Sequence, residues 1–500
     1  MNQATQTETS PPQGNPPQTV GANADQNARR LLWAGFMAIL AAGVGFSIRG
    51  GILGDWGTQF GFTQTELGQI TGGGLVGFGV IILLGALIAD TIGYGKLMIF
   101  AFVMHFLSAI VTLAATPIYK ATGNKEAAYW CLYIGMFMFA IGNGTAEAVV
   151  NPLVATLFPK NKTHYLNILH AGWPGGLVLG GLASYVLVGK ARWEIQMTLF
   201  MIPVVAYGIM CIGRRFPKSE ASVHGVSFGE MLAEFAAPVL LLLLCIHALL
   251  GYVELGTDSW ISNITGNILA SREKGLLLFV YTSSLMFALR FFAGPIVEKI
   301  SPLGLLFVGA TCGAIGLTLL GHVTTGLLVV ISASIYGVGK TFLWPTMLAV
   351  VSERFPKGGA ITIGAMGGIG MLSAGLLGGP GIGYNQDYYA SKDLREKSSP
   401  LYDEYKSPTK NRFLVFPEIQ GLDGSKVGAV RAKAPETRTP QENQVHDADL
   451  HGGRMALQVT AAIPATMAVL YLLLIIFFRA KGGYKQVHIE GAGHQAREVA

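Results

Sequence analysis

Residues 69–96 read QITGGGLVGFGVIILLGALIADTIGYGK, and this stretch decides the fold. From Gln69 to Ala89 it holds no charged residue. A helix of about 20 such residues is long enough to cross the hydrocarbon core of a bilayer. A run apolar on every side cannot be the surface helix of a soluble domain, because it has no polar face. Asp90, Gly93 and Lys96 then end it in a short polar turn.

Working outward, apolar runs of this length recur along the chain. Twelve are expected, at 31–53, 69–89, 97–117, 128–150, 167–189, 195–213, 237–261, 275–296, 302–321, 325–348, 359–382 and 456–478. The composition agrees: 51% hydrophobic, 13% charged and 66 glycines in 500 residues. Charged residues make up about a quarter of a soluble protein. Glycine is frequent where membrane helices pack closely. These values exclude a disordered chain, a coiled coil and an ordinary soluble enzyme. The net charge of +6 has no basic run interleaved with aromatics, so it does not point to nucleic acid. Basic residues collect in cytoplasmic loops for topological reasons.

Loop charges orient the chain. With the amino terminus inside, the inner segments carry fourteen Lys and Arg and the short outer loops carry six, the bias the positive-inside rule requires. Both termini are expected in the cytoplasm, with the protein in the cytoplasmic (inner or plasma) membrane. Residues 1–30 read as a disordered tail without a cleavable signal, and 481–500 as a second tail. Residues 214–236 form a polar linker that divides the spans into two sets of six, 31–213 and 237–480.

The halves echo each other. Gly85-Ala-Leu-Ile-Ala-Asp90, with Gly93 and Lys96, closes the second span. Arg290-Phe-Phe-Ala293-Gly-Pro-Ile-Val-Glu298-Lys299 closes the eighth. Each places an acid five residues after a small residue, as a duplicated transporter fold would. The fold class is therefore all-α membrane, twelve transmembrane helices in two pseudo-symmetric six-helix bundles. Residues 383–455 stand apart, with eleven basic and eleven acidic residues and one apolar patch, Phe413-Leu-Val-Phe416. The expectation is a polar extracytoplasmic insertion, disordered or a loose cap, with a lid or partner site as the alternative. Cys131, Cys211, Cys245 and Cys312 lie in apolar stretches without metal or disulfide spacing and read as small buried hydrophobes.

Charges within spans are costly and by default face a cavity with a partner. Glu147 is the first candidate, in Asn143-Gly-Thr-Ala-Glu147-Ala-Val-Val-Asn151-Pro152. The spacing i, i+4, i+8 puts Asn143, Glu147 and Asn151 on one face. A carboxyl that moves between dry and wet surroundings can take up and release a proton. The other reading is a structural Glu locked to an Arg. Arg49 is a counter-ion for such an acid, a fork for an anionic or hydroxyl-rich ligand, or an interface residue. Glu254 and Asp258, followed by Trp260, suit a polyol, since carboxylates accept hydroxyl hydrogen bonds and an indole stacks on C–H groups. A solvated loop is the alternative for Asp258. Lys340 needs an acid, which Glu254 or Asp258 supplies; its Gly339-Lys340-Thr341 lacks the upstream spacing of a phosphate loop. His170, with Trp173 beside it, is the histidine set among polar and aromatic neighbours. Trp344 completes the candidates for the cavity lining. No metal cluster, cofactor motif or nucleophile elbow supports catalysis.

The stretch Gly85 to Lys96 resembles the loop motif of the major facilitator superfamily, without the basic residue usually next to the Asp. The resemblance implies a gating role for Asp90, docking against a neighbouring helix end, with Gly85, Gly93, Lys96, Arg290 and Glu298 as the remaining motif positions. Ala146-Glu147-Ala-Val-Val-Asn151-Pro152, Phe158-Pro159 and Tyr165-Leu166-Asn167-Ile-Leu-His170 resemble the fourth and fifth helices of the fucose permease family of sugar–proton symporters. Arg290-Phe-Phe-Ala293 and Trp344-Pro345-Thr346 resemble its eighth and tenth. The likeness implies proton coupling at Glu147. The acid that family places in its first helix for sugar falls on Gly50, beside Arg49, which opens a sugar-acid or organic-anion reading. The expected function is proton-coupled transport of a small polar solute, a sugar first, by alternating access. The alternatives are an anion carrier using Arg49 and Lys340, and a sensor that signals through 383–455 without transport. The partners are the solute, the proton and the bilayer; the chain is expected to be monomeric.

Overall fold

The computed structural model describes residues 18–60, 64–187, 190–323, 326–408 and 410–489. Residues 1–17 of the amino-terminal tail and 490–500 of the carboxy-terminal tail lie outside the described residues. Residues 18–30, assigned to the tail by composition, continue the first helix, Gln18–Gly51.

Twelve spans follow in chain order, each one helix or a pair joined by a break. The first six are Gln18–Gly51, Gln64–Ile92, Tyr94–Thr122, Lys125–Leu157, Lys162–His170 with Gly172–Leu187, and Trp193–Thr198 with Met201–Cys211. The seventh runs from Pro238–Gly251 through a π-type turn, Tyr252–Gly256, to Thr257–Ile268. The eighth is Arg272–Arg290, and Ala293–His322 comes next. Ser301 within that stretch has φ 64 and ψ 163. It precedes Pro302, which disfavours a helical residue before it. Residues 293–300 therefore finish the eighth span and 302–322 form the ninth. The tenth is Gly326–Thr341 with Leu343–Arg354. The eleventh is Gly359–Ser373, a second π-type turn Ala374–Gly378, and Gly379–Lys397. The twelfth is Pro440–Ala480. Ten of these are long and apolar enough to cross a membrane by length and composition alone. The fifth falls short because His170 and the Gly172-Trp-Pro-Gly-Gly176 run lower its hydropathy, and the eighth because it carries Arg290 besides the charges at its start.

An even number of spans brings both described ends to one face, called here the terminal face; residues 383–455 emerge at the opposite one. The outer sides of the bundles are apolar: Ile99 is 61% exposed, Ile202 66% and Leu327 73%. Such surface is stable only against lipid. The same geometry corrects the cysteine expectation. All four thiols are free and partly exposed, Cys245 most, because they lie on outward faces.

Small residues set the helix spacing. A methyl on Gly43 would fall 2.4 Å from the Trp173 carbonyl, and one on Gly176 2.4 Å from that of Leu40, so the first and fifth spans touch backbone to backbone. The halves meet along two seams. In one, Gly364 lies against Ala86 and Gly79 against the Gly368 carbonyl, joining spans two and eleven. In the other, Gly175 lies against Phe287 and Gly181 against Val280, joining spans five and eight. At the terminal face the Thr163 hydroxyl donates to Glu353 at 3.2 Å and Lys162 to the Ser352 carbonyl at 3.2 Å. Gln486, beyond the last span, donates to the Pro159 carbonyl at 3.1 Å. The two halves are knitted together there.

A further repeat relates the halves. Phe158-Pro159-Lys160 ends span four and Phe355-Pro356-Lys357 ends span ten. Phe158 has φ −127, ψ 61 and Phe355 φ −127, ψ 56. Each phenylalanine N–H still closes the last helical turn, and the proline after it forbids another.

The insertion is folded, which corrects the expectation of disorder. Helices Ser399–Tyr405 and Gly424–Ala432 pack on the extended ends of spans eleven and twelve. Leu394, Leu401, Tyr402, Val427, Val445 and Ala448 form a small core of their own. Antiparallel bridges pair Lys406 with Leu422 and Asn411 with Ile419. Much of its charge is used internally, as in the bidentate pair of Arg431 with Asp449 at 2.7 and 2.5 Å. The near-equal acid and base content that reads as disorder in the sequence is that of a paired surface.

Candidate functional site

The polar residues of the spans gather at two places. The first lies inside the amino-terminal bundle. Asn143 accepts from His105 Nε2 at 2.8 Å, and His105 Nδ1 accepts from the Tyr207 hydroxyl at 2.9 Å. Arg49 is buried beside them. Its guanidinium lies 3.9 Å over the Phe139 ring and 4.9 Å over that of Phe200, and it donates to the Gly45 carbonyl and the Ser108 hydroxyl. Its Nε has no hydrogen-bond partner among the described residues. Arg49 thus points among spans one, three, four and six, away from the other half, and stacking on aromatics holds it.

The second place lies between the halves. Asn151 donates through Nδ2 to Glu147 Oε2 at 2.7 Å and to the Glu147 carbonyl at 3.0 Å. Its Oδ1 accepts from His170 Nε2 at 2.8 Å, which makes His170 the donor. His170 Nε2 is 4.0 Å from the Glu147 carboxylate. The expected single face of Asn143, Glu147 and Asn151 is therefore divided. Eight residues at about 100° per step leave a drift of roughly 80°, enough to turn Asn143 into the bundle while Glu147 and Asn151 face span five.

Arg290 joins this group to the other half. It donates to the His170 carbonyl, to the Thr341 carbonyl at 2.8 Å and to Glu254 Oε1 at 3.2 Å. A line of hydrogen bonds runs from Glu147 through Asn151, His170 and Arg290 to Glu254. This corrects the reading of Arg290 as a loop-motif residue: it is 1% exposed and lies in the interior. A buried Arg must find acceptors, and Glu254 supplies a carboxylate in the interior. Glu254 sits in the π-type turn of span seven, a backbone feature found often at functional sites. That turn packs on its counterpart in span eleven, Gly256 against Gly378. Glu254 Oε2 is buried without a hydrogen-bond partner among the described residues.

Asp258, one helical turn on, is ion-paired with Lys340, as the need of a buried Lys for an acid requires. Its side chain is 10% exposed, so the loop alternative does not hold. Lys340 also lies 5.3 Å over the Tyr336 ring. Trp260 is not part of this group: its indole donates to the Gly379 carbonyl at 2.8 Å, toward span eleven. Two residues on a helix point roughly 200° apart, so Trp260 and Asp258 cannot share a face. Trp344 is buried against His247, with ring centroids 4.6 Å apart, and Trp173 lies 5.7 Å from the Phe46 ring. Arg49 and Lys340 are not brought together, so the paired-cation anion site expected from them does not form.

At the terminal face Asp90 accepts from the Tyr94 hydroxyl at 3.3 Å. A methyl on Gly359 would lie 3.2 Å from Asp90 Oδ2, so the carboxylate abuts the start of the Gly359–Ser373 helix. A helix N-terminus attracts a negative charge. Gly93 has φ 93, a conformation only glycine adopts without strain. Gly85 packs on Ala148 of span four, while Lys96 and Glu298 are exposed. The two loop devices differ in use: Asp90 is docked and Glu298 faces outward.

Sequence reasoning missed the Tyr207–His105–Asn143 chain and the central place of Arg290. Their signal was the cost of burying any polar group: His105 and Arg290 both lie in apolar runs and had to find partners.

Known proteins agree with this architecture. A family model for the Major Facilitator Superfamily matches residues 35–379. No curated protein matches the sequence significantly. Among solved structures, the proton:xylose symporter XylE, bound to 6-bromo-6-deoxy-D-glucose, superimposes with a TM-score of 0.65 at 14% identity, over 90% of this chain and 96% of that one. The fucose:proton symporter of E. coli does so with a TM-score of 0.58 at 14% identity, over 88% and 98%. A human organic anion transporter gives 0.58 at 12% identity, over 89% and 99%. At these identities the likeness is one of fold. With more than half its length matched by the family model and all twelve spans in place, the chain belongs to the major facilitator superfamily of membrane transporters.

Proposed function

We propose that the chain is a proton-coupled sugar symporter that works by alternating access, with Glu147 as the proton carrier. One observation carries the reading. Of the three carboxyls in the central site, Glu254 and Asp258 are each ion-paired with a basic side chain, Arg290 and Lys340, whereas Glu147 is held by Asn151 with His170 4.0 Å away. A carboxyl without a Lys or Arg on it among the described residues can be held with or without its proton.

The proton is transferred to Glu147 from the side opposite the terminal face, where the site opens when the halves part. Solute binding favours closure over the site. The halves then separate at the terminal face, breaking the Thr163–Glu353 and Lys162–Ser352 contacts, and both cargoes leave to the cytoplasm. Arg290 reads the state of Glu147 through His170, since it is bonded to the His170 carbonyl and to Glu254. Coupling requires that proton and solute favour different conformations. Glu254, Asp258 and Asn151 offer acceptors and donors for hydroxyls, and Trp344 an aromatic wall. The protein acts as a monomer in the cytoplasmic membrane with both termini inside, since one chain supplies both halves of the site. The anion reading gains nothing from Arg49, which points into its own bundle, and no observation favours the sensor.

The test is solute-induced proton movement in proteoliposomes, screening neutral sugars against sugar acids. External alkalinisation with a neutral sugar supports the proposal. A response to sugar acids alone, or none to any solute, refutes it.

A further inference from the structure

A groove of about 1120 Å³ opens on the terminal face of the amino-terminal bundle, between spans three and six and the linker that follows. It lies well away from the site between the halves. Its wall is apolar and outward: Ile99 is 61% exposed, Ile209 56% and Ile212 71%. Its rim carries Lys96, Arg214 and Lys218. None of the three has an ion pair among the described residues, and Arg214 Nε is buried without a hydrogen-bond partner. Asp90 also reaches the lining; its Oδ1 accepts from Tyr94, and its Oδ2, buried without a hydrogen-bond partner among the described residues, abuts the start of span eleven.

An apolar trough at the depth of a helix end, rimmed by unpaired cations, matches one molecule in both parts: an acyl chain on a negatively charged headgroup. We propose that this groove is a binding site for an anionic phospholipid, with Lys96, Arg214 and Lys218 around the phosphate and the Ile99, Ile209 and Ile212 wall along the chain. Basic pockets between membrane helices recognise anionic headgroups in this way. Arg214 supplies the directed contact, because its fork can hold two phosphate oxygens while its unpartnered Nε gains an acceptor. The site shares Asp90 and Tyr94 with the docking contact at span eleven, so its occupant lies beside the part of the terminal face that must move in transport.

The experiment uses the full chain in neutral detergent, titrated with phosphatidylglycerol, with phosphatidylcholine of the same chains, and with glycerol phosphate. Bound lipid is counted by native mass spectrometry, and the melting temperature is followed in parallel. The expected result is retention of one phosphatidylglycerol in preference to phosphatidylcholine, weakened by salt. Arg214→Gln and Lys218→Gln should each weaken it roughly fivefold, while Arg214→Lys keeps part of the affinity and reports on folding. Arg412→Gln, which removes the same charge from the opposite face, should change nothing. Equal retention of phosphatidylcholine would overturn the proposal. So would tight binding of glycerol phosphate alone, unaltered binding in both glutamine variants, or an equal loss in Arg412→Gln.

Discussion

In the amino-terminal half the central acid, Glu147, is held by an amide and lies near an imidazole; in the carboxy-terminal half Glu254 and Asp258 are each set against a cation. A buried ion pair with good geometry is locked, since removing either partner leaves a charge that the interior cannot solvate. A buried carboxyl with amide and imidazole neighbours is free to change its proton count. Under the proposed function, the proton chemistry belongs to one half and a fixed frame to the other, with Arg290 reaching from the frame to the His170 backbone.

The largest effect that would break this contrast is on the frame. Arg290→Gln leaves Glu254 without its cation and should cost about 3–5 kcal/mol, read as a lower melting temperature in detergent. The double variant Arg290→Gln, Glu254→Gln should recover much of that loss. If the single variant is as stable as the parent, the frame is not locked. Lys340→Met should behave in the same way, at about 3 kcal/mol, with recovery in the double variant carrying Asp258→Asn. No recovery would mean that the two groups act separately.

Smaller effects sharpen the comparison at the terminal face. The turn after span two needs Gly93 at φ 93, whereas the turn after span eight uses Ser301 at φ 64. Gly93→Ala should destabilise by about 1–3 kcal/mol. Ser301→Gly should be neutral or stabilise by up to about 1 kcal/mol, as thermal melts would register. Asp90→Asn should lose about 1 kcal/mol of attraction to the start of span eleven and raise labelling of cysteines placed at that seam. Glu298→Gln, on an exposed residue, should leave labelling unchanged. Equal responses would mean that the two loops are used alike.

How legible this was in the sequence depends on what each feature rests on. The spans were legible because apolar length is a local property, and so was the need of Lys340 for an acid, although the choice of Asp258 over Glu254 depends on helix rotation that the sequence does not show. Arg290 was misplaced because the segment that follows it, Ala293 to Ile300, is the terminal-face end of span eight, while its partners come from spans five, seven and ten. Arg49 was read as facing a ligand because the aromatic pair that holds it, Phe139 and Phe200, lies 90 and 151 residues away. The π-type turns at Tyr252–Gly256 and Ala374–Gly378 leave no mark on an apolar run, yet they set the rotation of Glu254 and the packing of spans seven and eleven. The insertion escaped because its core is only six buried residues within a polar composition.

In the proposed function Glu147 carries the proton and does no more. The most direct measurement is paired flux in proteoliposomes made with Glu147→Gln: uptake driven by a proton gradient, and exchange of labelled internal for unlabelled external solute without one. Gradient-driven accumulation should be abolished while exchange persists near the parent rate. Loss of exchange and of solute binding together would contradict it and place Glu147 in the substrate site or the frame instead.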